Sequence, residues 1–155
     1  ATAMTTTHDL PTVAGWWQGT DIAWREKLHQ LPVGLDPNTV HDERENDRTA
    51  LWSALMHDRP ASAARGRGGE KPPPDATGAA RVVDEAIGFV GRAACPLALM
   101  AVEDMLGLAE QPNLPGTTSG HPNWQRRYPG MTATLLSGHD TRRRFNRLRA
   151  GRAHE

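Results

Sequence analysis

Apolar residues recur with a helical period in one stretch of the chain and form an unbroken run directly after it. The helical stretch covers residues 79–94, and Cys95-Pro96 ends it. The run that follows, Leu97 to Val102, has the length and composition of a strand buried on both faces of a sheet. A helix followed by such a strand predicts a parallel sheet and therefore the α/β fold class.

A second strand is predicted at the beginning of the chain, over residues 1–7. Its β-branched threonines favour extended backbone, and Pro11 marks its end because proline has no N–H for a strand ladder. His8 and Asp9 should then lie at the carboxyl end of this strand, where catalytic side chains gather in parallel α/β folds. The alternative is that Asp9 only begins a turn and that His8 is an ordinary surface histidine.

Two further acids, Glu103 and Asp104, directly follow the strand predicted at 97–102. If both strands run the same way through one sheet, these acids lie on the same rim as His8 and Asp9. The sequence therefore predicts a polar site formed where two strands end.

Several other segments surround these strands. Thr20 is expected to cap a helix that ends before Pro32, and a second helix is expected to begin at Asn38. Residues 60–75, rich in Ala, Gly, Arg and Pro, predict a solvated and mobile loop. Residues 110–127 are rich in turn formers, and so long a loop is uncommon in a compact domain unless it binds something.

The last part of the chain, residues 131–155, is expected to form a tail with a short basic helix from His139. Arginines dominate this helix, and Phe145 and Leu148 give it a narrow apolar stripe. We interpret it as a solvated terminal helix.

Composition limits the class of partner. The chain has 155 residues, 37% of them hydrophobic, and its 18 basic residues balance 18 acidic ones. Zero net charge gives no field that favours nucleic acid or a membrane surface, and no apolar run is long enough to span a bilayer. The single cysteine, Cys95, is typical of a reducing compartment such as the cytoplasm. The expected partner is a neutral molecule.

Metal and cofactor binding are not favoured by the sequence. His8-Asp9 and His139-Asp140 are pairs of the sort found in metal-dependent phosphohydrolases, but the other histidines show no ligand spacing. Gly-rich phosphate loops, nucleophile elbows and paired-cysteine motifs are absent from the sequence. We expect no metal and no cofactor.

Sugar chemistry fits the residue types better. A carbohydrate cleft needs carboxylates and hydrogen-bonding groups such as Asp9 and His8, with aromatic faces for the apolar side of each ring. Glycoside cleavage passes through an oxocarbenium-like state in which hydrogen bonds to ring hydroxyls strengthen. Trp24 and Trp52 lie on helical stripes and are expected in the core, whereas Trp124 lies in a loop and is more open.

Three blocks of sequence carry a resemblance to a known family. They are Thr7-His8-Asp9-Leu10-Pro11-Thr12 with Gly15-Trp16-Trp17, Val102-Glu103-Asp104 with Leu106-Gly107-Leu108, and Gln111-Pro112-Asn113-Leu114-Pro115-Gly116-Thr117 with His121-Pro122-Asn123-Trp124. In order and spacing over residues 1–130, they closely resemble the C-terminal part of bacterial 4-α-glucanotransferases, also called amylomaltases or disproportionating enzymes. Three ordered blocks are far more specific than one motif.

The resemblance implies a (β/α)₈ TIM barrel of which this chain holds the last two strands and their helices. Residues 1–7 resemble the seventh strand and Leu97 to Val102 the eighth. The chain begins inside a strand-like run, so we expect it to be a C-terminal fragment whose N-terminal part is missing. Residues 1–130 would then belong to the catalytic barrel, and residues 131–155 would form the basic tail.

The resemblance also implies an activity. Members of the family transfer α-1,4-glucan segments between maltodextrin chains by a retaining double displacement, with an Asp nucleophile, a Glu acid/base and a second Asp that stabilises the transition state. Asp9 matches that stabiliser, His8 matches the histidine that binds the same sugar, and Asn113 resembles a loop asparagine near the cleaved bond. Glu103 and Asp104 match an acidic position and are expected to orient other groups.

The resemblance leaves the nucleophile and the acid/base upstream of Ala1. The isolated chain is therefore expected to be inactive, and its unpaired strand edges are expected to make it aggregate or stay partly disordered. The sequence departs from the family at Ser119-Gly120, where relatives often carry acids, and at the insertion over residues 60–75. Two alternatives remain: another member of the α-amylase clan, such as a hydrolase or branching enzyme, and a catalytically dead glucan-binding module.

Overall fold

The computed structural model describes residues 1–60 and 72–152, so most of the loop predicted at 60–75 lies outside the described residues. None of the helices within these two ranges combines the length and apolarity that crossing a bilayer requires. The elements, in chain order, are β1 (Thr2–Met4), α1 (Val13–Gln18), α2 (Thr20–Lys27), α3 (Pro37–His57), a 3₁₀ turn (Ala76–Gly78), α4 (Ala79–Arg92), β2 (Leu97–Leu99), α5 (Val102–Leu106) and α6 (His139–Arg152).

The two strands pair in parallel, with Thr2 opposite Leu97 and Met4 opposite Leu99. Helices α1 to α4 lie between them in the chain, which confirms the predicted α/β class. Strand β2 is shorter than predicted because Val102 already begins α5. Its expected burial on both faces is wrong, since Leu97 is 50% and Leu99 43% exposed. These leucines share one face of the strand, and helix α4 contacts the sheet without covering them.

The core lies among the helices rather than around the sheet. Trp17 of α1, Trp52 of α3 and Ile87 of α4 are all at most 1% exposed. The rings of Trp17 and Trp52 lie 6.4 Å apart at an angle of 57°, an arrangement favourable for two indoles. The helix predicted over residues 79–94 is confirmed as α4, and its apolar face supplies the centre of this core. The core position expected for Trp52 is confirmed as well.

The start of the helical region differs from the prediction. Helix α1, which the sequence did not predict, begins where the Thr12 hydroxyl accepts a hydrogen bond from the Gly15 N–H at 2.9 Å. Gly19 ends α1 in the left-handed conformation, with φ of 81°, and α2 starts at the next residue. Thr20 is therefore the first residue of α2 and not its cap, because one glycine joins the two helices and leaves no room for a separate capping residue.

The basic helix α6 is not a solvated tail. Arg144 is 3% exposed, and its Nε donates to Oδ1 of Asp84 in α4 at 3.0 Å while its Nη1 donates to the Met105 carbonyl. At Gly151 an added Cβ would lie 2.4 Å from the carbonyl carbon of Gly91, so the backbones of α6 and α4 touch. Close backbone approach and a buried ion pair hold α6 against α4, and the expectation of a solvated helix is wrong.

Candidate active site

The structure brings together the three site residues that the sequence singled out. The Asn113 amide donates to Oδ1 of Asp9 at 2.7 Å, although 104 residues separate the two in the chain. His8 Nε2 lies 3.2 Å from Oδ2 of the same carboxylate. About half of the Asp9 side chain remains exposed. A carboxylate held on both oxygens and still open to solvent can meet a ligand in a fixed orientation.

The segment that carries Asp9 is fixed on both sides by hydrogen bonds. The Thr6 hydroxyl donates to the Pro11 carbonyl at 2.8 Å, which closes the turn around His8 and Asp9. The Thr12 hydroxyl donates to the Ala109 carbonyl at 3.1 Å and so ties the segment to the chain after α5. The strand predicted over residues 1–7 is shorter in the structure, because β1 ends at Met4. His8 and Asp9 lie in the turn that follows it, where the Leu10 N–H donates to the Thr7 carbonyl.

Asp104, a residue of α5, holds the end of the segment that carries Asp9. Its side chain is fully buried, and Oδ1 accepts a hydrogen bond from the Val13 N–H, at the start of α1, at 2.7 Å. Burial, the largest influence, raises the pKa of Asp104 above its ordinary value of 3.8. Its neighbour Glu103 is partly exposed and accepts a hydrogen bond from the Tyr128 hydroxyl. The two acids, predicted as strand caps, are both residues of helix α5.

An open cavity of about 670 Å³ lies beside His8, and we refer to it as the rim cavity. His8 belongs to its wall, whereas Asp9 and Asn113 do not. Aromatic rings, hydroxyl groups and charged groups all line this cavity, a mixture that suits a polar ligand with apolar faces. The wall consists of Thr6, Thr7, His8, Thr12, Ala101, Glu103, Leu108, Ala109, Glu110, Pro112, Trp124, Arg126, Arg127, Tyr128 and Pro129.

Residues 110–128, which we call the rim loop, form one side of the cavity and are held by Asn123. Its Oδ1 accepts from the Leu114 N–H at 2.9 Å and lies 2.6 Å from His121 Nδ1. Its Nδ2 donates to the hydroxyl and to the carbonyl of Thr117, at 2.7 and 3.1 Å. The long loop thus has a defined conformation without regular secondary structure, and it contributes Asn113 and Trp124 to the site.

Trp124 is presented to solvent by a rigid backbone. Its φ is +60°, its N–H donates to the Pro112 carbonyl at 2.9 Å, and it is 65% exposed. The indole lies 5.5 Å from the His8 ring, tilted by 45°. The sequence predicted a more open position for this tryptophan, and that prediction is confirmed.

Glu103 and Tyr128 form a second polar pair on the cavity wall. The Tyr128 hydroxyl donates to Oε1 of Glu103 at 2.7 Å. This hydrogen bond stabilises the neutral phenol and, together with burial and the negative charge of Glu103, raises the pKa of Tyr128 to about 12. Sequence reasoning missed Tyr128, although it lies close after the last family block, which ends at Trp124, and directly follows the pair Arg126-Arg127.

Glu110 and Arg126 join the two ends of the rim loop. Arg126 Nη2 lies 2.8 Å from Glu110 Oε2, which also accepts the indole N–H of Trp24 at 3.0 Å. Trp24 was expected in the core, but it is only partly buried and packs edge-on against His121, with ring centroids 4.7 Å apart. The opposite charges at 110 and 126 were visible in the sequence, but their pairing depends on how the loop folds.

Among residues 1–60 and 72–152, no group of three or more His, Cys, Asp or Glu side chains is arranged to hold a metal ion.

The parallel pairing of β1 and β2, with helices between them in the chain, places the chain among the α/β proteins. Comparison with known sequences gives the family. The family model described as 4-alpha-glucanotransferase matches residues 1–134, and the chain belongs to that family. The resemblance found in the three sequence blocks is thereby confirmed.

Individual relatives agree with this assignment. The chain is 34% identical over 122 residues to proteins named 4-alpha-glucanotransferase from Mycobacterium bovis and Mycobacterium tuberculosis. The match covers 77% of this chain and 15% of each relative, so the chain spans a small part of their length. It also superimposes on the crystal structure of amylomaltase from Corynebacterium glutamicum with a TM-score of 0.76 and 25% identity, covering 96% of this chain and 21% of that one.

Proposed function

We propose that the chain is the C-terminal part of the (β/α)₈ barrel of a 4-α-glucanotransferase that acts on maltodextrins. Strands β1 and β2 are then the last two strands of the barrel, residues 1–130 belong to the catalytic barrel and residues 131–155 form a basic C-terminal tail that contains α6. The observation that carries the proposal is the carboxylate of Asp9, which accepts a hydrogen bond from the Asn113 amide and lies 3.2 Å from His8 Nε2 in the turn after β1. Membership of the family supports the transferase over other members of the α-amylase clan.

In the proposed reaction Asp9 stabilises the transition state. Positive charge develops on the sugar ring as the glycosidic bond breaks, and hydrogen bonds from the ring hydroxyls to a fixed carboxylate strengthen at that moment. Asn113 supports this role because its amide fixes Oδ1 of Asp9 before the sugar arrives. His8, on the other oxygen, is the second group proposed to bind the same sugar.

A retaining transfer also needs a nucleophile and an acid/base, with carboxyl groups about 5 Å apart. The proposal assigns these to barrel strands outside this sequence, and by "complete enzyme" we mean this sequence together with those strands. The 155-residue chain by itself is then inactive. We also assign the complete enzyme to the cytoplasm, on the basis of the single free cysteine Cys95.

The test compares Asp9→Asn with wild type in the complete enzyme supplied with maltotriose. We expect wild type to produce glucose and longer maltodextrins while the number of reducing ends stays constant, as transfer requires. The variant should lose several orders of magnitude in rate, because the amide keeps the shape of the carboxylate but not its charge.

Asp42→Asn is the matched control, since Asp42 is exposed on α3 and lies outside the site; it should leave the rate unchanged. Near-normal turnover by Asp9→Asn would remove Asp9 from the mechanism. A steady increase in reducing ends would indicate a hydrolase instead of a transferase. Saturable maltodextrin binding without turnover by the complete enzyme would favour a glucan-binding module.

A further inference from the structure

We propose that a cavity between α4, α6 and the chain just after α3 binds the phosphoryl group of a small anion, either inorganic phosphate or a phosphate monoester. The cavity has a volume of about 260 Å³, and we call it the arginine cavity because Arg59, Arg92 and Arg147 line it. It shares no lining residue with the rim cavity. The inference goes beyond the proposed function and does not depend on it.

The three arginines of this cavity come from three different parts of the chain. Arg59 follows the end of α3, Arg92 is the last residue of α4, and Arg147 lies within α6. Their side chains are between 22% and 37% exposed, so they are partly shielded from water. Guanidinium groups supplied by three segments match the several oxygens of a tetrahedral phosphoryl group better than the two oxygens of a planar carboxylate.

The space beside these arginines is not filled by bulky side chains. Apart from their charged residues, α4 and α6 contribute only Gly88, Ala150 and Gly151 to the wall. An added Cβ at Gly88 would lie 3.1 Å from Nη1 of Arg92, so this glycine leaves room for the guanidinium against the helix. A phosphoryl group therefore has room to lie next to the guanidinium groups.

The wall of the arginine cavity carries an excess of positive charge. Its acid is Glu85, which is 6% exposed and lies 3.6 Å from Arg59 Nε and 3.5 Å from Arg147 Nη1. Both distances are longer than those of hydrogen bonds between charged groups. Asp58, outside the wall, pairs with Arg92 at 2.8 Å. Even with Asp58 included, three cations meet two anions, and a bound anion would remove this imbalance.

The acid next to Glu85 in the chain does not neutralise Arg147. The carboxylate of Asp84 is paired with Arg143 at 2.8 Å and with Arg144 at 3.0 Å. Arg147 Nη1 donates instead to the backbone carbonyl of Asp84 at 3.3 Å. In the described part of the chain no hydrogen bond uses Nη2 of Arg147, so this group is able to donate to a ligand.

The rim cavity differs from the arginine cavity in its charges. Glu103 and Glu110 there balance Arg126 and Arg127, and Arg126 is paired with Glu110 at 2.8 Å. A neutral glucan suits such a balanced wall, but it would gain little from unmatched guanidinium groups. The ligand of the arginine cavity is therefore an anion, and its site is separate from that of the glucan.

The test measures the binding of inorganic phosphate to the complete enzyme by titration calorimetry, at constant ionic strength with chloride as the background anion. We expect Ala150→Glu to weaken binding at least about tenfold, because it adds a carboxylate to the wall without removing an arginine. Ala150→Gln, similar in size but uncharged, should weaken it less than about threefold. Arg149→Gln is a second control, since Arg149 is exposed on α6 outside the wall, and it should leave the affinity unchanged.

Arg147→Gln should also weaken phosphate binding about tenfold, through the loss of a charged donor. Because this arginine also holds α6 to α4, a misfolded Arg147→Gln protein would leave the decision to the Ala150 variants. Absence of saturable phosphate binding by wild type would overturn the proposal. So would an unchanged affinity in Ala150→Glu, or an equal loss in Ala150→Glu and Arg149→Gln, which would indicate a diffuse effect of surface charge.

The same titration with glucose 1-phosphate distinguishes the two sources of the phosphoryl group. Tighter binding of the ester than of inorganic phosphate, weakened by Ala150→Glu, would identify a phosphate monoester as the ligand. Weaker binding of the ester would identify free phosphate. Because binding is measured without turnover of maltotriose, a failure of the proposed function would leave these results unchanged, and a failure to bind phosphate would leave the proposed function intact.

Discussion

Trp52 and Trp124 show how differently the two halves of this molecule are built. Trp52, in the helical core, is 1% exposed and packs on Trp17, whereas Trp124, in the rim loop, is 65% exposed. The helical half is stabilised by apolar burial among α1, α3 and α4. The rim loop is ordered by many hydrogen bonds, four of which involve the side chain of Asn123.

This difference implies that the helical half determines the stability of the protein and that the rim loop contributes to ligand binding. Packing among helices tolerates few changes, but it provides a rigid base for a loop that carries exposed functional groups. Asp9 lies where the two halves meet, since its segment begins at a strand and ends at the capped helix α1. Substitutions in the helical half should therefore change the stability of the protein, and substitutions in the rim loop should change substrate binding.

The largest effect on stability is expected from Trp52→Ala. Removing an indole buried to 1% exposure leaves a cavity beside Trp17 and should cost on the order of 3–5 kcal/mol. The change should appear as a lower apparent melting temperature of the complete enzyme, while KM for maltotriose of the remaining folded protein stays the same. Trp124→Ala, the matched control, should leave the melting temperature unchanged. Equal destabilisation by both variants would contradict the division into two halves.

A smaller effect, confined to the rim loop, is expected from Asn123→Ala. The substitution leaves the Leu114 N–H without its acceptor and His121 without its partner, at a cost of about 1–3 kcal/mol for such buried groups. The cost should appear as faster amide exchange at Leu114 and as a higher KM, because Trp124 loses its support. Asn146→Ala, on the exposed face of α6, is the control and should change neither quantity. Unchanged exchange at Leu114 would mean that other contacts order the loop.

The smallest effect is expected at the junction of the halves, from Asp104→Asn. Because burial raises the pKa of Asp104 in the folded protein, the folded state binds its proton more tightly than the unfolded state does. This contribution to stability is complete below the ordinary pKa of 3.8 and is lost as the pH rises through the raised value. Melting temperatures measured over a pH series should therefore depend less on pH in Asp104→Asn than in wild type across that window.

Asp75 provides a control of opposite sign for this measurement. The hydroxyl of Thr77 and the N–H of Gly78 lower the pKa of Asp75, so its contribution is present at higher pH and is lost as the pH falls. Asp75→Asn should remove a pH dependence of that opposite direction. If Asp104→Asn and Asp75→Asn alter the pH dependence in the same direction, the burial of Asp104 does not control its titration.

The features that could be predicted from the sequence are those set by local pattern. Helix α4 follows from a strong apolar period, and the parallel sheet follows from a helix placed before an apolar strand. The start of α3 was predicted at Asn38 and lies one residue earlier, at Pro37, which is a favourable first residue of a helix. Helix α1 was missed because its cap, Thr12, adjoins the proline that marks the end of the preceding extended segment.

The candidate site was predictable as a set of residues but not as an arrangement. The sequence alone identified Asp9, His8 and Asn113 through ordered blocks that the family comparison confirmed. That the Asn113 amide reaches Asp9 was decided by the folding of the rim loop, because no local pattern relates positions 104 residues apart. Tyr128 joined the site for the same reason, through its contact with Glu103.

The sequence by itself thus determined the family and the α/β class, since these depend on short-range spacing and residue type. Tertiary structure decided which side chains are buried. The arginines of α6 suggest solvent exposure, yet Arg144 is buried against Asp84. Burial depends on which surfaces meet, and a residue type gives only a preference that a neighbouring element can satisfy or override.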